Sequence, residues 1–478
     1  MAFKYNSQLV LGFGYASLLS IYYLKVAAIN RKEQQRCVHI SIQDENEKQK
    51  ESTKEEAKIF YMSTHRNQKI MDNAIGLHIQ PWAYTNSHFS SMLSQFRFSP
   101  FLIHGKIATR RIDKIKSSTG CFIEIETFDP INNAGDDTLP IVILLHGVGG
   151  SSKEVYIEQT TIQIIKRGWK VVVLNYSMVS IGNEGSVAGG NCLTDSHDIN
   201  LLVSHLRNKY PKRKFLFCIG FSMGGAKLAQ YLIRTGEACD IDAACTVSSP
   251  LDFTRDNDTV HEPHGNMITT FYHLLVSSHL KLWVLKHYNT LRKHELVRST
   301  GPFKNPISAL SFLFTHLSVP EIDRVITMPL KGRSEHELNS YYLEASLLRK
   351  LGDPNGVKVP LLTITSKNDP FIPIRILPSK KLCETNQNLF IVNTLYGGHI
   401  GYYRPEVGCW ATNAAVSFFD SVRKNITSRE LCRHKSSLEA AFKLQRSSTT
   451  GLTNYFDFLD LDPDHSCSDL LHTINVSC

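Results

Sequence analysis

Three residues able to share one reaction stand at matching places in the chain. Residues 218–225 read CIGFSMGG, which sets Ser222 between Gly220 and Gly224 directly after the apolar run KFLFC. A serine on a sharp strand-to-helix turn needs glycines beside it, because the turn presses the two backbones together. Serine is a weak nucleophile near neutral pH; it needs a base to accept its proton, and the base needs an acid to fix its tautomer. Directly after VPLLTITS comes KNDPFIP, with Asp369 in a turn opened by Asn368 and Pro370, and after NLFIVNTLY comes GGHIGYY, with His399 among glycines. Taken singly, a Gly-x-Ser-x-Gly, an Asp-Pro turn and a loop imidazole each have a bland reading. Three of them at the carboxyl ends of three predicted strands, in the order serine, acid, histidine, point to a catalytic triad. Asp252, after TVSSPL, is the reserve acid.

Acyl transfer also builds negative charge on a carbonyl oxygen, which backbone N–H groups must already face. Met223, following the nucleophile, offers one such N–H, and Val148 in the loop HGVGGSS offers the other. His146 in that loop reads as a fastener of the loop, since His399 fills the base role. HISIQD, from His39 to Asp44, has an H-x-x-x-x-D spacing but lies in a polar linker and is taken as chance. No H-E-x-x-H, P-loop or G-x-G-x-x-G occurs, so neither a metal nor a cofactor is implied.

These residues need a sheet to hold them. Strand-length apolar runs recur at 121–128, 141–145, 170–176, 214–220, 243–249, 359–366 and 388–394. Helix-period stretches such as EVYIEQTTIQIIKRG, DSHDINLLVSHLRNKY and GAKLAQYLIRTG lie between several of them. The alternation predicts an α/β fold, a mainly parallel sheet with helices on both faces. From about 253 to 350 the rhythm breaks into leucine- and aromatic-rich helical pieces, expected to form a cap over the carboxyl edge of the sheet, where such sheets bind ligands. Its apolar content would suit acyl chains.

The ends of the chain differ from this body. After a short lead, 1–8, positions 9–29 form an apolar stretch interrupted only by Lys25, long enough for a transmembrane signal anchor. Lys25, Arg31, Lys32 and Arg36 lie at or beyond its far end and Lys4 before it, which would leave the catalytic body on the cytoplasmic side. A cleaved secretory peptide ending near VAA is the rival reading. Residues 30–70 read as a polar juxtamembrane linker, 71–427 as the folded domain, and 428–478 as a loosely attached tail. The formal charge of +9 comes without a long basic tract, so no nucleic-acid partner is implied, while a basic surface could meet anionic headgroups. Eleven cysteines, scattered and without a C-x-x-C pair, argue for reduced thiols. Acceptor triplets at Asn257, Asn425 and Asn475 decide nothing without a compartment.

The succession LLHGVGGSSKEVYI, VVVLNY, TDSHDINLLVSHLRNKYP, GFSMGGAKLAQYL, SSPLDF, SVPEIDRV, YYLEAS, VPLLTITSKNDPFIP and GGHIGYY resembles the abhydrolase branch of the α/β-hydrolase superfamily that includes membrane-anchored phospholipases, monoacylglycerol lipases and plant embryogenesis-associated proteins. The likeness runs from about Trp82 to Val422. It implies an α/β-hydrolase fold, a Ser222–Asp369–His399 triad, an N-terminal anchor and hydrolysis of lipid esters. One departure stands out: members usually follow the residue equivalent to Asn175 with arginine and glycine, whereas this chain reads NYSMVSIGNEG. The expected activity is a membrane-anchored serine hydrolase cleaving phospholipid or acylglycerol esters. An acyltransferase with the same triad, or a non-catalytic binding protein on the same fold, is the alternative.

Overall fold

In the computed structural model the described residues are 58–74, 91, 107–116, 122–176, 180–181, 187–188, 193–254, 267–293, 297, 301–314, 318–404 and 408–425. The anchor expected at 9–29, the tail at 428–478, and Asn257 and Asn475 lie outside them. Among the described residues no helix is long and apolar enough to cross a membrane.

Nine strands form one sheet: β1 (Lys58–Tyr61), β2 (Ala108–Lys116), β3 (Phe122–Pro130), β4 (Ile141–Leu145), β5 (Lys170–Asn175), β6 (Leu216–Phe221), β7 (Ala243–Val247), β8 (Leu361–Ser366) and β9 (Leu389–Thr394). Their spatial order is β1-β9-β8-β7-β6-β4-β5-β3-β2. The run from β9 to β5 is parallel throughout, whereas β1, β3 and β2 join antiparallel. Every residue of β4, β6, β7 and β8 is buried, as strands covered on both faces must be.

Alternation along each strand divides the core in two. Val142 and Leu144 with Phe217, Ile219 and Phe221 pack on one face against α2 (Val155–Ile165) and the last described helix, α8 (Trp410–Asn425). Ile141, Ile143 and Leu145 with Leu216 and Cys218 pack on the other against α3 (His197–Lys209) and α4 (Met223–Thr235). Cys218, Cys239, Cys245, Cys383 and Cys409 are free thiols within this interior.

The polar linker expected over 30–70 is shorter than its composition suggests. Residues 58–61 form β1, paired with β9, and α1 (His65–Asn73) buries Ile70 and Met71 against the first core face. A four-residue strand gives too little alternation to stand out beside KEEAK. β2 is likewise absent from the sequence-based list, because ATRRIDKIK is a charged edge strand whose residues are mostly exposed. Arg110 answers this exposure by pairing with Glu126 on β3.

Between Leu251 and Leu361 the described residues contain helices and turns and no strand. They include α5 (Met267–Lys286), α6 (Pro306–Phe314), a helical run over Val319–Leu330 whose middle, Asp323–Thr327, is a π-helix, and α7 (Leu338–Ala345). Leu280, Val284, Leu291, Phe303, Phe312, Ile322 and Ile326 make an apolar cluster of their own, and Val148 from the loop after β4 packs against it.

Candidate active site

Ser222 sits at the N-cap of α4 with φ 51° and ψ −123°, a conformation a non-glycine residue rarely holds. It is held there because its N–H donates to the Val247 carbonyl at 2.9 Å. The glycines beside it answer to close approach. A Cβ on Gly220 would lie 2.5 Å from the Gly225 Cα, one on Gly224 2.5 Å from the carbonyl oxygens of Leu145 and His146, and one on Gly225 would run into Ser249 Oγ. The helix therefore starts hard against the strand ends and presents the serine at their carboxyl edge.

The fold brings all three sequence-predicted residues together. His399 Nε2 lies 3.0 Å from Ser222 Oγ, and His399 Nδ1 lies 2.9 Å from Asp369 Oδ2 and 3.2 Å from Oδ1. Asp369 Oδ1 also accepts from the N–H groups of Phe371 (2.8 Å) and Ile372 (3.1 Å), which fix the carboxylate plane. Its side chain is 1% exposed and that of His399 14%. The imidazole, with the Phe371 ring 4.6 Å away between centroids, is thus partly shielded and keeps a small exposed surface. Since Nδ1 donates to the carboxylate, Nε2 carries the lone pair that faces the serine hydroxyl. The reserve acid, Asp252, is not part of this arrangement: its Oδ1 accepts from Thr254 N–H, Thr254 Oγ1 and Ser346 Oγ at 3.0, 2.8 and 3.1 Å.

The loop after β4 supplies the other wall. Gly147 commits its N–H to the Tyr156 hydroxyl at 3.0 Å, whereas the N–H groups of Val148 and Met223 have no acceptor among the described residues. Ser222 and this loop are close: a Cβ on Gly147 would lie 3.3 Å from the serine Cβ. His146 donates from Nδ1 to the Gly147 carbonyl at 2.8 Å and stands edge-on to Tyr176 at 4.6 Å between centroids. Burial drives its pKa down to about 4, and the charge of Lys227 pushes the same way against the opposing pull of the Gly147 carbonyl, so His146 is a neutral fastener.

Sequence reasoning missed two residues that shape this loop. Asn175, at the end of β5, accepts the Ser152 N–H on Oδ1 at 2.8 Å and returns Nδ2 to Ser152 Oγ at 3.3 Å. Tyr156, the second residue of α2, anchors Gly147. A polar residue closing the apolar run KVVVLN is a signal that the first could have been read from. Among the described residues no group of three or more His, Cys, Asp or Glu side chains gathers as a metal site would.

A serine at a strand-to-helix turn, a histidine and a carboxylate after later strand ends, and six parallel strands alternating with helices define a hydrolase architecture. The chain belongs to the alpha/beta hydrolase fold family, whose model matches residues 140–383. Phospholipase ABHD3 of Bos taurus is 28% identical over 335 residues, covering 68% of this chain and 73% of that protein. Monoacylglycerol lipase of Saccharomyces cerevisiae is 27% identical over 314 residues, with 63% and 64% covered, and Monoacylglycerol lipase ABHD2 of Mus musculus 24% over 336 residues, with 68% and 76% covered.

Proposed function

We propose that this protein is a serine hydrolase that cleaves carboxylic esters of lipids, phospholipid or acylglycerol, through an acyl-enzyme on Ser222. The observation that carries the reading is the unbroken relay from Ser222 Oγ through both nitrogens of His399 to the buried Asp369, with contacts of 3.0 and 2.9 Å. Ser222 Oγ attacks the ester carbonyl while its proton passes to His399 Nε2. The oxyanion of the tetrahedral adduct is received by the N–H groups of Met223 and Val148, at the positive end of α4. When the adduct collapses, the carbon–oxygen bond to the alcohol breaks and His399 returns the proton to the departing oxygen. A water then gives its proton to His399 and attacks the acyl carbonyl, releasing fatty acid and restoring the serine hydroxyl.

The lipid class is supported by the relatives named phospholipase and monoacylglycerol lipase, and by the apolar cluster of the helical insertion beside Val148. We read this insertion as a cap that receives acyl chains, and the apolar stretch 9–29 as an anchor holding the enzyme, cytoplasmic side, to the membrane that carries its substrate. The test is labelling with a fluorophosphonate together with fatty-acid release from phospholipid and monoacylglycerol vesicles. Both signals should vanish in Ser222→Ala. Labelling that survives the substitution, or folded wild-type protein that releases no fatty acid from either lipid, ends the proposal.

A further inference from the structure

Three non-glycine residues in the described chain adopt left-handed backbone conformations: Ser222 at φ 51°, Ser248 at φ 48° and Ile400 at φ 62°. They are far apart in sequence and adjacent in space. Ser222 N–H is bonded to Val247, the residue before Ser248, and Ile400 follows His399 and donates its N–H to Ser248 Oγ at 3.1 Å. A β-branched residue is especially ill suited to this region, so something must hold Ile400 there. Strain of this kind gathers where surrounding structure over-determines a functional geometry.

What holds it is a set of side chains that meets three successive amides. Gly398 N–H donates to Asn368 Oδ1 at 2.9 Å, His399 N–H to Ser91 Oγ at 2.8 Å, and Ile400 N–H to Ser248 Oγ at 3.1 Å. The Gly398 carbonyl accepts from Ser366 Oγ at 2.9 Å. These partners come from the segment ahead of β2, the end of β7 and the end of β8, separated from the loop by 308, 152 and 30 positions respectively. Ser248 is fully buried, and its hydroxyl donates onward to Tyr402 at 3.4 Å. Asn368 Nδ2 is buried without a partner among the described residues, so the bond made by Oδ1 is what gives this side chain its place. None of the three touches Ser222 Oγ or the imidazole ring through these bonds; they fix the backbone from which the ring projects.

We propose that Ser91, Ser248 and Asn368 are positioning residues that clasp the backbone of residues 398–400 and so set the distance from His399 Nε2 to Ser222 Oγ. The proposal deepens the serine-hydrolase reading and rests on it for its catalytic consequence. Ser91 is the most consequential member, because the amide it holds is that of His399 itself, 308 positions away. An imidazole released from this clasp can drift by the order of an ångström, enough to slow a proton transfer by roughly a hundredfold.

The test uses the full chain and the variants Ser91→Ala, Ser248→Ala and Ser91→Thr. Two quantities are read: amide hydrogen exchange of a peptide spanning 398–400, and the pH profile of the rate at which a fluorophosphonate labels Ser222. Both alanine variants should exchange faster at this peptide and label roughly 10- to 100-fold more slowly, with a displaced inflection of the pH profile. Ser91→Thr, which keeps the hydroxyl, should restore both. Unchanged exchange and labelling in both alanine variants overturns the clasp, as does a variant that melts earlier yet labels at the wild-type rate below its transition. Wild-type protein that fails to label defeats the hydrolase reading instead, while the exchange measurement still decides whether the clasp exists.

Discussion

Replacing Asp369 by asparagine tests the site most sharply, because the surroundings dictate which way the amide must turn. Oδ1 accepts two backbone N–H groups, from Phe371 and Ile372 at 2.8 and 3.1 Å, and an NH2 cannot take that place. The amide nitrogen therefore occupies the position of Oδ2, 2.9 Å from His399 Nδ1, and donates to it. Nδ1 must then accept, and the proton moves to Nε2. That proton points at Ser222 Oγ, 3.0 Å away, so the ring can no longer receive the hydroxyl proton. Loss of the productive tautomer in a serine triad lowers kcat by ~10⁴, about 5.5 kcal/mol of transition-state stabilisation. The assay is hydrolysis of a short soluble ester, with kcat and KM measured separately and thermal melting as a control for folding. kcat should fall by about four orders of magnitude with KM little changed. Asp252→Asn, whose carboxylate serves Thr254 and Ser346, should stay within about threefold of wild type if the protein remains folded. An Asp369→Asn enzyme retaining a tenth of wild-type kcat, or losing activity only through KM, refutes the tautomer argument.

Other consequences follow from the same geometry. Asn175→Ala frees Ser152 and with it the loop that carries Val148, so kcat should drop about tenfold with KM nearly constant, and a change confined to KM would contradict this. Gly224→Ala places a methyl 2.5 Å from two backbone oxygens that cannot yield, so denaturant unfolding should show a loss of about 3 kcal/mol, and wild-type stability would be incompatible with the close approach. Asp323, buried at the start of the π-helical stretch Asp323–Thr327, has its pKa raised by burial to about 6 despite hydrogen bonds from Thr327 and Tyr342. Since this folded-state value exceeds the unfolded one, the native state holds the proton more tightly. The group's contribution is present below about pH 4 and is lost as pH rises through 6, a difference of about 3 kcal/mol. Asp323→Asn removes the titration, so its stability relative to wild type should improve between pH 4 and pH 7. An equal difference at both pH values would refute it.

The meeting of Ser222, Asp369 and His399 was readable because each follows a run whose apolar character is set by burial on two faces: KFLFC before Ser222, LLTITS before Asp369, LFIVNT before His399. Composition reports burial directly, and burial fixes where the carboxyl ends of central strands lie. Edge elements carry no such signal. β1 is four residues long and β2 is charged and exposed, so neither announces a strand, and the sheet extends past the stretch set aside as linker. Ser91 and Ser248 were illegible for another reason. A hydroxyl that bonds one particular amide 308 or 152 positions away resembles every other polar residue until the chain is folded. Asp252, the reserve acid, also follows a strand end, but its carboxylate is engaged by Thr254 and Ser346.

Val148 belongs to two neighbourhoods at once. Its side chain packs against the apolar cluster that contains Leu280, Phe312 and Ile326, and its amide belongs to the loop whose Gly147 abuts the serine. Under the proposed reading, a fatty chain that displaces those apolar neighbours would act on the same residue whose N–H is assigned to the oxyanion. Filling of the insertion and the setting of the oxyanion amide would then share one valine.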